Sequence, residues 1–159
     1  MRRTIDGFHQ DEHGDWVAEI SCLHNQHIRH EPPWQDRSWV NTELGRRERR
    51  DTFIECPLCD RAELPEGLQV VRSAGPFNAS SLPDALQRDH RVAARTWGRL
   101  RVIEGSLLFS MDTNPFVRVD LHAGSIQPIP PGVAHSLAVT GPVVVVVDFL
   151  VRAGSSARA

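Results

Sequence analysis

GSIQPIPPGVAH, residues 124–135, decides how the second half of this chain is read. Gly124 permits one turn, and Pro130 and Gly132 shape the next. His135 then opens a strand with its imidazole facing inward. Working outward from this stretch, apolar segments of strand length recur on both sides. They are LQVVR (68–72), TWGRLRVI (96–103), SLLFSM (106–111), FVRVDL (116–121), SIQPIP (125–130), HSLAV (135–139) and PVVVVVDFL (142–150). Gly105, Thr113-Asn114-Pro115, Gly124, Pro131-Gly132 and Gly141-Pro142 punctuate them. Short strands at this spacing predict an all-β barrel or sandwich. SLPDALQRDH (81–90) has room for one helical turn, and the tail RAGSSARA (152–159) is expected to be disordered.

The composition changes near residue 62. All three cysteines, five of the eight histidines and three of the four tryptophans precede it. The sequence therefore predicts a Cys/His domain over 1–61, a β-barrel over 62–151 and the tail. In the first part IDGFHQ and DWVAEIS flank DEHGD, and Gly14 beside Asp15 signals a β-hairpin. Thr42 is placed to cap a short helix through TELGRRERR, although Gly45 opposes it.

The bulk numbers exclude several function classes. The formal net charge is −2, and the most basic run, RRERR at 46–50, is broken by Glu48. A nucleic-acid surface needs a wider basic patch, so none is expected. All 18 basic residues are arginine, which excludes a Schiff-base lysine. No apolar run approaches the ~20 residues of a membrane span, and no apolar stretch follows the N-terminal arginines as in a secretory signal. The expected compartment is the cytoplasm. There, cysteines at C-x-x-C spacing point to metal or redox chemistry.

SCLHNQHIRH (21–30) is followed by ECPLCD (55–60). A tight turn lets the thiolates of Cys56 and Cys59 face one ion, and zinc wants four nitrogen or sulfur ligands in a tetrahedron. Cys22 is the natural third ligand. His24 gives C-x-H…C-x-x-C, as in a zinc-ribbon-like site; His27 is the alternative fourth ligand, and His30 ranks behind both. A closed four-ligand site is structural, and it would brace a segment too small to build a large core. The redox reading lacks its βα context.

In the second part, the spacing G-x5-P-x-G-x2-H of residues 124–135 resembles the second signature of the cupin barrel. The first signature is degraded: HRVAARTWGRLRVIEG keeps His90 and Gly105, but no second histidine follows and Gly98 occupies the glutamate position. A reduced site from His90, His135 and Asp148 remains, of the right ligand types for a second divalent metal. The competing readings are a metal-free pocket, walled by Trp97, Arg99 and Arg101, and a structural role in which Asp148 pairs with Arg99 or Arg101.

LPEGL, SLPDALQRDH, WGRLRVIEGSLLF, AGSIQPIPPGVAH and GPVVVVVDF together resemble the small cupin-like domain of the TehB-related, or tellurite-resistance-related, proteins. IDGFHQDEHGDWVAEISCLHNQHIRHEPPW and CPLCDRAELP resemble a domain of unknown function that precedes it. The resemblance implies a mainly β chain: a jelly-roll, or double-stranded β-helix, barrel behind a zinc-binding β-hairpin domain. It also implies that His90 and His135 are pocket residues. The tellurite label belongs to relatives fused to a methyltransferase that uses S-adenosylmethionine, and this chain has no glycine-rich loop for that cofactor. Three functions stay open at this point. One is a metal-dependent cupin enzyme. Another is a module binding a small molecule or oxyanion, in an oxyanion or other stress response. The third is a scaffold with only a structural zinc. A homodimer fits each of them.

Overall fold

The computed structural model describes residues 1–153 and divides the chain into two compact units after Cys56. In the first unit four strands, β1 (Arg2–Gln10), β2 (Trp16–Ile20), β3 (Asn25–His27) and β4 (Phe53–Glu55), pair in the order β3-β2-β1-β4. The β1–β2 hairpin closes on Gly14 at φ +84°. Asp11 tightens the turn, its Oδ1 accepting from the amides of His13 and Asp15 at 2.9 Å each. The core here is small: Ile5, Ala18, Ile28 and Val40 are buried, with Phe8, Trp16, Trp39 and Ile54 packed against them.

Helix α1 (Glu43–Arg49) carries the basic run. Thr42 caps it, its Oγ1 accepting from the Gly45 amide at 3.1 Å, a contact worth about 1 kcal/mol. Gly45 stands in this helix for a steric reason, because a Cβ there would overlap the Trp39 carbonyl. The arginines do packing work. The Arg46 guanidinium lies 3.5 Å from the Trp16 ring centroid and that of Arg49 5.0 Å from Trp39. Such stacking contributes about 0.5–1 kcal/mol at exposed sites, so the run is a structural face.

The second unit opens with the short helix α2 (Pro57–Asp60) and is then built from strands. They are β5 (Leu68–Asn78), β6 (His90–Arg91), β7 (Trp97–Met111), β8 (Val117–His122), β9 (Ile126–Ile129), β10 (Ala134–Ala138) and β11 (Val143–Arg152). The sheet path is β5-β11-β7-β10-β6, with β8 and β9 also pairing β7. Two segments expected as separate strands are one. Strand β7 runs through Gly105 and serves two pairings: its first half lies between β11 and β9, its second between β8 and β10. Gly105 makes the switch at φ +71°, pressed so close to Pro142 that a Cβ would overlap the Pro142 carbonyl oxygen. Strands change sheets at bends of this kind. The chain is thus mainly β with curled sheets, as the strand pattern predicts.

Strand β5 extends beyond the expected 68–72, through Gly75-Pro76 to Asn78. Its place at the end of the sheet path explains this, since an edge strand tolerates a proline without an amide donor. The helical turn expected within 81–90 is a 3-10 turn at Asp84–Gln87. Of the expected tail, Arg152 belongs to β11, Ala153 follows it, and 154–159 lie outside the described residues.

Candidate metal centre and ligand cavity

Strand β2 ends at Ile20, and the chain turns at once. The Leu23 amide donates to the Ile20 carbonyl at 2.7 Å and the Ile20 amide to the His24 carbonyl at 3.0 Å. Leu23 takes φ +71°, a left-handed conformation that costs a branched residue about 1–2 kcal/mol. The turn brings Cys22 and His24 together. Cys56 follows β4, where its amide donates to the Met1 carbonyl at 2.8 Å, and Cys59 sits in α2.

All four side chains are buried, and their ligand atoms lie within 4.8 Å of one another. The Cys22 and Cys56 sulfurs are 3.8 Å apart, and each is 3.4 Å from His24 Nδ1. Zinc bound tetrahedrally, about 2.3 Å from sulfur and 2.0–2.1 Å from nitrogen, separates sulfurs by about 3.8 Å and sulfur from nitrogen by about 3.5 Å. The residues present therefore fit a zinc ion. Burial disfavours a charged His24, but hydrogen bonds with Cys22 and Cys56 outweigh it and raise the pKa to about 9.

His27 stands apart from this group. Its Nε2 pairs with Asp11 Oδ2 at 2.9 Å, and that hydrogen bond is the chief reason the Asp11 pKa falls to about 2. His30 Nδ1 accepts from the Arg37 amide at 3.0 Å and so holds the following loop.

In the second unit His90 on β6 faces His135 on β10, ring centroids 5.2 Å apart, edge to face. His135 is buried against Phe109, and its Nδ1 donates to the Val133 carbonyl at 3.1 Å. A carbonyl only accepts, so Nδ1 carries the proton and Nε2 presents a lone pair. Burial, the Val133 hydrogen bond opposing it, and the charges of His90 and Arg91 together lower the His135 pKa and keep the ring neutral.

Asp148 does not join the two histidines. In the β11–β7 register it lies opposite Arg99. Its Oδ2 accepts from Arg99 at 2.8 and 3.1 Å and from Arg101 Nε at 2.9 Å, and its Oδ1 accepts from Ser73 at 2.7 Å. Burial pushes this carboxyl up, but the hydrogen bonds from Arg101, Ser73 and Arg99 win and hold it at about 2. Among the described residues, Cys22, His24, Cys56 and Cys59 are the group able to hold a metal; His90, His135 and Asp148 form no such group.

An open cavity of about 710 Å³ lies in the second unit, between β5, β11 and the segment around His90. Phe77, Leu86, Val147 and Phe149 contribute apolar wall, Arg72 and Arg91 contribute charge, and His90 contributes an imidazole. Trp97, Arg99 and Arg101, expected as pocket wall, do not line it. Side chains alternate along a strand, and register puts these three on the Asp148 face, opposite to Val147 and Phe149.

Residues 72–147 match the family model described as TehB-like domain. Residues 6–63, which include the whole Cys/His group, match the model described as Protein of unknown function (DUF3565). Among solved structures, TehB from Haemophilus influenzae is similar at 22% identity and a TM-score of 0.49, over 55% of this chain and 32% of that one. A protein from Escherichia coli strain K12 is similar at 20% identity and a TM-score of 0.50, over 57% of this chain and 96% of that one. A cupin protein from Bacteroides fragilis is similar at 15% identity and a TM-score of 0.33, over 58% of this chain and 66% of that one. The Escherichia coli likeness shows the fold alone. This chain spans about a third of the Haemophilus influenzae protein's length, 32%. No curated protein matches it.

Within residues 72–147, sequence reasoning missed Arg72 and Arg91 as cavity residues. Arg91 adjoins His90, which was a signal. Arg72 offered none, because β5 is exposed along most of its length and lacks a hydrophobic alternation.

Proposed function

We propose that this protein is a zinc-braced small-molecule-binding protein, in which the N-terminal metal is structural and the TehB-like domain does the binding. The observation that carries this reading is the closed Cys22, His24, Cys56 and Cys59 group, set against an Asp148 committed to arginines. Four protein ligands leave no open position for a substrate, so such a zinc holds structure together. A metal-dependent cupin reaction needs a third ligand beside His90 and His135, and Asp148 is engaged elsewhere. The cavity of about 710 Å³ falls in the range of about 300–1,000 Å³ usual for small-molecule sites, which supports binding in the β domain.

We place the protein in the cytoplasm, where reducing conditions keep the three buried cysteines from forming disulfides and so available to a metal. Among the described residues no helix is long and apolar enough to cross a membrane. The physiological setting we attach to the binding activity is a stress response, of the oxyanion or another type, supported by the sequence resemblance. The test is metal content per chain, by elemental analysis, of the intact protein and of Cys56→Ser. The reading expects one zinc in the first and none in the second. A second metal that survives Cys56→Ser and disappears in His90→Ala would restore the metal-dependent barrel.

A further inference from the structure

We infer that the ligand of the β-domain cavity is an amphipathic anion: an apolar body with a single carboxylate-type head. The inference deepens the binding reading above and rests on it. Its basis is the chemistry of the cavity wall. Apart from Thr96, every polar lining side chain is a base, namely Arg72, His90 or Arg91, and no carboxylate lines the cavity. This is a one-signed wall in a protein whose net charge is −2.

The two arginines are also uncommitted in charge. Arg72 lies over the Phe149 ring, its Cζ 4.2 Å from the centroid, and Arg91 donates to the Gly132 carbonyl at 2.7 Å. Neither has a carboxylate partner among the described residues. Arg99 and Arg101 make the contrast, since both are spent on Asp148. Stacking on Phe149 fixes the Arg72 guanidinium and leaves its in-plane donors for a ligand, and a planar fork of that kind suits a carboxylate. The rest of the wall is apolar, with Phe77, Leu86, Val147 and Phe149 among it. Such a surface gives a bare hydrated oxyanion nothing and an alkyl or aryl body a great deal. Charge at one place and apolar surface around it specify an amphiphile.

The test is calorimetric titration of the full chain with octanoate, with 1-octanol as the uncharged analogue and with inorganic phosphate as the headgroup alone. The expected result is one octanoate per chain, bound at least tenfold more tightly than octanol, with phosphate failing to displace it at equal concentration. Arg72→Gln should weaken octanoate about tenfold, the size of one charged contact of about 1.4 kcal/mol, and leave octanol unchanged. Unchanged octanol binding also certifies that the variant is folded. Should Arg72→Gln bind neither ligand, Arg91→Gln gives the same comparison. Equal affinity for octanoate and octanol would overturn the anionic head and leave the cavity a ligand site. Displacement by phosphate would overturn the apolar body. Failure of all three probes to bind would overturn this inference together with the binding reading.

Discussion

Replacing Asp148 by Asn removes one charge from a site that has two guanidinium groups aimed at it. Asp148 is 2% exposed, and it holds Arg99, Arg101 and Ser73 through contacts of 2.7–3.3 Å. The folded state holds its pKa at about 2, against an ordinary value of 3.8. At about 1.36 kcal/mol per unit, that difference contributes roughly 2 kcal/mol of stability. The sign is that of a depressed carboxylate. The contribution is full above the unfolded pKa near 4 and drains away as pH falls toward 2. The amide of Asn keeps the shape and some hydrogen bonds, so Asp148→Asn should cost about 2 kcal/mol at pH 5 to 7. The gap between wild type and variant should shrink to roughly half at pH 3. Urea unfolding of both proteins at pH 6, 5, 4 and 3 measures it, and taking the difference cancels every other titrating group. A gap below about 0.5 kcal/mol at pH 6, or one that does not narrow on acidification, would refute the buried ion-pair reasoning.

Other consequences are sharper in direction than in size. Gly105→Ala should lose more than about 2 kcal/mol, since a left-handed Ala costs about 1–2 kcal/mol before the overlap with Pro142 is counted. Gly124→Ala, at φ +89° with nothing near its Cβ, should lose only the backbone part; equal losses in urea unfolding would count against the crossover role of Gly105. His24→Ala should abolish stoichiometric metal binding, whereas His27→Ala should leave metal content intact, because His27 is held by Asp11. Metal content of the two purified variants decides this. Stripping the metal with a chelator should loosen the small core around Ile5 and Val40 and change the fluorescence of Trp16 and Trp39; a spectrum unmoved by chelation would remove the structural role.

The N-terminal site was almost fully legible in the sequence. C-x-H and C-x-x-C are local spacings, and a short turn alone fixes which side chains meet. Only the choice between His24 and His27 needed the structure. The structure groups His24 with the cysteines and pairs His27 with Asp11, a residue that no spacing rule connects to His27. The β strands were legible from their punctuation, but Gly105 misled: its positive φ reads as a turn, and here it carries one strand from one sheet partner to the next. The barrel residues were the least legible. His90 and His135 come together because β6 and β10 pair across a long sequence gap. Asp148 had two readings, metal ligand or arginine partner, and only strand register separates them. Arg99 sits opposite it in the ladder, and Arg101 is the next side chain on the same face. The same register turned Trp97, Arg99 and Arg101 away from the cavity they were expected to line.

The most direct test of the central claim is the ligand shell of the bound metal, measured by X-ray absorption at the zinc edge on the purified full chain. The account predicts three sulfurs at about 2.3 Å and one nitrogen at about 2.0–2.1 Å, with no water. A shell containing oxygen, or two or more nitrogens, would contradict a closed site built from Cys22, His24, Cys56 and Cys59.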